Sequence, residues 1–186
     1  MPNYRRWRQE GGLVFLTVVT HERRHLFRSA LARDLLHRAM DDVGGHRPWH
    51  TEAIILLPDH WHAIWRLPPG DADYATRMSL VKRLFTSYWL RSGGDEGQVS
   101  VAKRRYRRRG VWQIKFWEHI VRDAADFKKH LDYIHLNPVK HGLCRRPCDW
   151  PWSTFRQWVA RGEYQNEWVG SVDLPGAVEY SWHDQV

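Results

Sequence analysis

Hydrophobic positions along the 186-residue chain change period several times, and each change marks an element. Leu13 to Thr20 reads LVFLTVVT, a dense apolar and β-branched run after Gly11-Gly12, which predicts a buried strand. From Ser29 to Val43 the period becomes helical: Leu31, Leu35, Ala39 and Val43 recur at every fourth position, and Gly44-Gly45 stops the run. Thr51 to Leu57 (TEAIILL) predicts a second strand, Pro58-Asp59 a turn, and His60 to Leu67 (HWHAIWRL) a third strand. Pro68-Pro69-Gly70 breaks that strand. A helix is then expected from about Tyr74 to Arg91, with Met78, Val81, Phe85 and Tyr88 on its apolar face. Ser92 to Gly110 predicts a flexible loop, and Ile114 to Val121 a fourth strand. Asp123 is positioned to cap a third helix, with Asp126 at the capping-box position, and Pro138 is expected to end it. The Trp-rich tail from Gly142 shows no regular pattern, and the chain contains no internal repeat.

The order β-α-β-β-α-β predicts an α+β fold: a ferredoxin-like split βαβ sheet, four-stranded and antiparallel, with an added C-terminal helix. The chain is expected to form a single domain, 1–186, with a basic loop at 92–110 and an irregular tail from about 142. On the third strand, His60 and His62 point to one face, and Trp61, Ala63, Trp65 and Leu67 to the other. The apolar set belongs under the two crossover helices. The histidines therefore lie on the free face, which only the third helix or the tail can cover. They are either packing residues or two ligands of one divalent ion. The third helix bears on that choice. Its core face is Phe127, Leu131 and Ile134, and at ~100° per residue His130, Tyr133 and Asn137 share an adjacent flank. Either that flank is a polar margin, with Asn137 closing the helix before Pro138, or it meets His60 and His62.

Charge adds a class of partner. With 29 Lys+Arg against 21 Asp+Glu the net charge is +8, which points to a polyanion, a generic basic surface being the alternative. No apolar run approaches the ~20 residues of a membrane span, so no membrane partner is expected. The N-terminal MPNYRRWRQE lacks an apolar segment behind its basic residues, so a signal peptide is not expected and a cytoplasmic location is. Cys144 and Cys148 supply no disulfide framework and no complete four-ligand zinc pattern, and are read as reduced thiols.

Several strings in order are more specific than any of these: YRRW near the start, then LPDHWHAIWRLP, VWQIKFWEHIVRD, HLDYIHLNPVKHGL and DWPWSTF. Together they resemble the REP-associated tyrosine transposases, bacterial relatives of the single-tyrosine HUH-type (His-hydrophobic-His) transposases, over most of the chain from about Tyr4 to Tyr164. The resemblance implies that His60 and His62 form the His-hydrophobic-His metal motif. It further implies that Tyr133 is the nucleophile and that Asn137 is a third metal ligand. The implied cofactor is a divalent ion, Mg²⁺ or Mn²⁺, suited to oxygen donors rather than to thiolates. The implied reaction is cleavage of single-stranded DNA through a 5′-phosphotyrosine, followed by rejoining.

The implied DNA is a palindromic repeat folded as a hairpin, with a short unpaired tetranucleotide at its foot. Candidate phosphate contacts are Arg5, Arg6, Arg8, Arg77, Lys82 and Arg83. The cluster from Lys103 through Arg104 and Arg105 to Arg109 joins them, unless it is only a solvated charge run. The segment from Ser92 to Arg109 is longer and more basic than the family pattern. Members of this subfamily act alone, so a monomer is expected rather than a homodimer, in a nucleoid-associated setting. Asp59 is read as a turn residue and His119 is left outside the metal shell. Two other readings share these features: a non-catalytic nucleic-acid-binding module, and a metal-dependent hydrolase using water as nucleophile.

Overall fold

The computed structural model describes residues 10–105 and 109–170. Four strands, β1 (Leu13–Val19), β2 (His50–Leu56), β3 (His60–Arg66) and β4 (Trp117–Ile120), form one sheet in the order β2-β3-β1-β4. Every neighbouring pair is antiparallel, so the expected split βαβ sheet is present. Helices α1 (Ala30–Gly44) and α2 (Tyr74–Arg91) pack on one face. Helix α4 (Ala124–Lys140) and the tail cover the other, while the short α3 (Val101–Arg105) lies in the long α2–β4 connection.

Alternation along β3 decides which core each side chain joins. Trp61, Ala63 and Trp65 are completely buried with Val14, Leu16 and Val18 beneath α1 and α2. Ile64, on the histidine face, joins Phe15, Ile55, Leu131 and Ile134 beneath α4. The β1–β3 register sets Thr17 opposite His62 and Val19 opposite His60. On α1 the buried positions are Ala32, Leu35, Leu36, Ala39 and Val43, whereas Leu31 is exposed. A strict four-residue stripe drifts off a 3.6-residue helix, and the true core face follows the helix.

Three segments differ from the sequence expectation. Helix α4 runs two residues past Pro138, to Lys140. A proline lacks the N–H that would bond one turn back, but with one turn of helix left only that single bond is lost. The fourth strand starts at Trp117 rather than Ile114; just before it, Gln113 N–H donates to Val19 O at 2.9 Å, and Lys82 Nζ donates to the carbonyls of Gln113 (2.7 Å) and Ile114 (3.2 Å). The segment after α2 is not a free loop. Gly97 N–H donates to Gly110 O at 2.9 Å, and a Cβ on either glycine would fall within 3 Å of the other's backbone. Only two glycines allow that approach.

The tail is more ordered than its pattern suggested. Residues 152–154 run along the outer edge of β2, with Leu56 N–H donating to Trp152 O and Thr154 N–H to Ile54 O. Helix α5 (Phe155–Ala160) follows, and Phe155 and Tyr164 complete the core under α4. Cys148 is buried and Cys144 half-buried, and both are free thiols.

Two expected phosphate contacts are fold residues. Arg77 is 2% exposed; its guanidinium donates to Asp71 (2.5 Å), Asp73 O (2.9 Å), Arg47 O (3.1 Å) and Pro48 O (3.0 Å). Its donors are spent inside the protein, as are two of those on Lys82. Arg83, Arg104 and Arg105 are exposed, and Arg109 pairs with Glu96. Arg5, Arg6 and Arg8 lie outside the described residues, as does the side chain of Lys103. Replacing Arg77 with Ala is expected to lower stability by about 2–3 kcal/mol, since Asp71 and three carbonyls lose their donor. Exposed Arg83→Ala should change it by less than about 0.5 kcal/mol. Urea unfolding of both variants makes the comparison, and equal small losses would contradict the structural role of Arg77.

Candidate active site

His60 opens β3 and His62 follows on the same face; both are buried, at 6% and 2% exposure. Their rings meet edge-to-face, with centroids 4.9 Å apart. Each uses its Nδ1 within the protein. His60 Nδ1 lies 2.6 Å from Asp59 Oδ1, and His62 Nδ1 lies 2.8 Å from Thr17 Oγ1. Asp59 is held ionised: burial opposes its charge, but bonds and Coulomb attraction from His60 and Arg23 outweigh it and push its pKa far below the usual carboxylate range. An ionised carboxylate only accepts, so His60 Nδ1 carries the proton of that bond and Nε2 is the ring nitrogen left for another partner. Asp59 therefore does more than make the turn.

Burial, then the neighbouring charges of His60 and His141, lower the pKa of His62 well below 6.5, so its ring is neutral at pH 7. Its Nδ1 shares a hydrogen bond with the Thr17 hydroxyl, which can donate or accept, and the tautomer protonated at Nδ1 leaves Nε2 as a bare lone pair. That atom is buried and, among the described residues, has no hydrogen-bond partner.

Helix α4 brings the other half of the site. Its Asp123 cap accepts from Asp126 N–H at 2.8 Å, and Leu131 and Ile134 seat it on the sheet. The half-buried Tyr133 then stands edge-on to His62, with centroids 5.2 Å apart, and edge-on to Phe15 at 5.8 Å. One turn further, Asn137 is 1% exposed, and among the described residues neither its Oδ1 nor its Nδ2 has a partner. Leaving a buried polar atom unpaired costs about 1–3 kcal/mol. Among the described residues, the indole N–H groups of Trp61 and Trp65 are unpaired as well, in the apolar core on the far side of the sheet, and so is His135 Nδ1, whose ring packs against Phe155 and Tyr164. His62 Nε2 and the Asn137 amide instead sit on α4's side of the sheet, beside Tyr133, and as neutral N and O donors they suit a hard divalent ion.

Two further groups frame the site. Lys140 Nζ lies 5.9 Å from the centre of the Tyr133 ring. His141, the C-cap of α4, brings its ring 5.4 Å from that of His60. Its pKa is lowered by partial burial and by His60. Sequence reasoning passed over His141, although Tyr133, Asn137 and His141 follow an i, i+4, i+8 spacing that was there to be read. Thr17 had no such signal, because its role depends on the β1–β3 register.

His130 parts company with Tyr133 and Asn137. It stacks on His119, centroids 4.6 Å apart at 18°, and its Nδ1 lies 2.8 Å from Asp126 O. Asp126 Oδ2 in turn lies 2.8 Å from His119 Nε2 and accepts from Arg122 at 3.1 Å. Among the described residues, this is a His/Cys/Asp/Glu trio whose donor atoms approach closely enough for a metal. Its atoms are already paired, however, and nearly parallel rings cannot both aim an in-plane lone pair at one point between them. Its evident work is to tie the start of α4 to β4.

A ferredoxin-like sheet thus sets paired imidazoles beneath a helix-borne tyrosine, an arrangement able to hold a nucleophile beside a metal. Comparison with known proteins narrows the class. No protein-family model matches the chain. A Haemophilus influenzae protein assigned to the REP-associated tyrosine transposases is 38% identical over 174 residues, 94% of this chain and 97% of the relative. An Escherichia coli REP-associated tyrosine transposase is 38% identical over 172 residues, 92% and 93% of the two chains. A solved REP-associated tyrosine transposase bound to a REP hairpin superimposes with TM-score 0.74 at 35% identity, covering 93% and 96%. The chain belongs to the REP-associated tyrosine transposases.

The buried histidines set the acid stability of the fold. Burial lowers the pKa of His135 to about 3 and that of His62 well below 6.5, while the unfolded chain protonates both near 6.5. Their penalty is absent above pH ~6.5 and grows below it, by about 1.4 kcal/mol per pH unit for each histidine. The depressed carboxylates of Asp59 and Asp126 act only below about pH 4. Urea unfolding with chelator present should therefore show stability level above pH 7 and falling steeply from pH 6.5 to 4.5. A flat profile across that range would contradict neutral, buried imidazoles.

Proposed function

We propose that this protein cleaves and rejoins single-stranded DNA beside hairpin-forming repeats, with Tyr133 as nucleophile and His60, His62 and Asn137 holding Mg²⁺ or Mn²⁺. The observation that carries the reading is the Tyr133 ring against His62, one helical turn from the buried, unpaired amide of Asn137. The hairpin held by the solved relative supports the choice of DNA. Family membership favours an enzyme over a non-catalytic binding module.

A bound divalent ion would supply Lewis-acid polarisation of the scissile phosphate. The chain supplies the rest. Asp59 accepts from His60 Nδ1, and Thr17 holds the His62 ring through its Nδ1, which leaves Nε2 of each ring for the ion. Phe15 and His62 hold the Tyr133 ring edge-on and limit its swing. An unperturbed phenol is only about one part in a thousand ionised at pH 7, and Lys140 Nζ lies 5.9 Å from the centre of the Tyr133 ring. The Tyr133 oxygen bonds to phosphorus as the bond to the 3′ oxygen breaks. The phosphate remains on the tyrosine as a 5′-phosphotyrosine, and the departing oxygen takes up a proton to become a 3′-OH. An incoming 3′-OH reverses the step, which is strand joining.

Exposed Arg83, Arg104 and Arg105 remain as phosphate contacts, with Arg5, Arg6, Arg8 and Lys103 as further candidates. A monomer suffices, since both halves of the site come from one chain. Incubating the protein with Mn²⁺ and a hairpin oligonucleotide carrying a single-stranded flank should trap a covalent protein–DNA adduct. Tyr133→Phe should abolish it, and His62→Ala should reduce it by at least about 100-fold, on the scale of a lost metal ligand. Equal adduct with Tyr133→Phe would refute the nucleophile, and multiple turnover with no adduct would indicate water in its place.

A further inference from the structure

We propose that Arg23 is a positioning residue of this site, orienting the His60 imidazole toward the metal through Asp59. The inference rests on the reading of His60 as a ligand and adds a residue that no motif marks. Val19 pairs with His60, so the chain leaving β1 passes directly beside the start of β3. There it makes a tight turn, Thr20 to Arg24, stitched to the backbone of Asp59. Thr20 is fully buried; its N–H donates to Asp59 O at 2.9 Å, and its hydroxyl lies 2.8 Å from both Asp59 O and Arg24 O.

Glu22 and Arg23 both take positive φ, 53° and 51°. Two consecutive non-glycine residues in the left-handed region are unusual and unfavourable, and persist only where surrounding structure imposes them. Their effect is to lay the Arg23 guanidinium against Asp59, with Nη1 2.9 Å from Oδ2, while Oδ1 lies 2.6 Å from His60 Nδ1. Both oxygens of the carboxylate are thereby held.

The far side of the turn is braced too. Arg24 pairs with Asp95 and donates to Gly110 O at 3.3 Å, and His21 Nε2 lies 2.9 Å from Gln98 O. The Arg23 side chain is 50% exposed, and a half-exposed ion pair adds little to folding stability. The ion pair bears instead on the carboxylate: without Arg23, Asp59 Oδ2 loses this partner, and Asp59 orients the His60 ring less firmly. Partners of this kind outside the ligand shell are worth about 10–100-fold in metal affinity.

The test is Mn²⁺ binding to the purified full chain without DNA, read from the electron paramagnetic resonance signal of free Mn²⁺. Arg23→Gly deletes the side chain and accepts the positive φ without strain, so its melting temperature should equal or exceed that of the unaltered protein. Its Mn²⁺ affinity should nevertheless fall about tenfold. Arg23→Lys keeps a cation near Asp59 and should restore part of that loss. Hairpin binding in chelator should be unchanged in both variants. Unaltered Mn²⁺ affinity in Arg23→Gly overturns the proposal, with or without a drop in hairpin affinity; a drop would make Arg23 a DNA contact. His60→Ala separates the two levels: Mn²⁺ binding that survives it refutes the metal site itself, and this inference with it.

Discussion

Everything in this site depends on α4 lying across the free face of the sheet. Two crossover helices cover one face with an apolar layer of Trp61, Ala63 and Trp65. The opposite face carries His60 and His62, which a two-layer fold would leave in water. Burying them requires a third layer, and Leu131 and Ile134 supply its adhesion to Phe15, Ile55 and Ile64. Once those contacts form, helical geometry leaves Tyr133 and Asn137 little freedom in where they fall. The same packing that removes apolar area from water sets the phenol beside His62.

Burial also sets the chemistry of the two imidazoles. In water each would be partly protonated near neutral pH and would repel a cation. Under α4, His62 stays neutral, and Thr17 and Asp59 each occupy an Nδ1 so that both Nε2 atoms are presented. In the proposed site, neutral donors such as His62 and Asn137 would leave more of a divalent ion's charge for phosphate. Asp59 adds a negative charge nearby, and Arg23 pairs with it.

Much of this was legible in sequence. The helix and strand periods gave the order of elements, and alternation on β3 separated His60 and His62 from Trp61 and Trp65. The Tyr-x-x-x-Asn spacing on α4 placed both residues on one flank. What was not legible depended on tertiary pairing or on backbone conformation. Arg77 reads as surface cation in a polar stretch, yet Asp71 and three carbonyls draw it inside. Before the shortened β4, Lys82 takes two carbonyls across 31 and 32 residues of chain, a contact with no local signature. His130 shared the flank of Tyr133, but the partner that claims it, Asp126, is itself fixed by His119 from a different element. Arg23 left no trace, since neither its positive φ nor its approach to Asp59 has a local signature.

The most direct measurement is anomalous scattering from crystals of the protein soaked in Mn²⁺. The account predicts one strong peak bonded to Nε2 of His60, Nε2 of His62 and the side-chain oxygen of Asn137, with the Tyr133 hydroxyl facing it. A peak among His119, Asp126 and His130 instead, with Asn137 left unbonded, would contradict it.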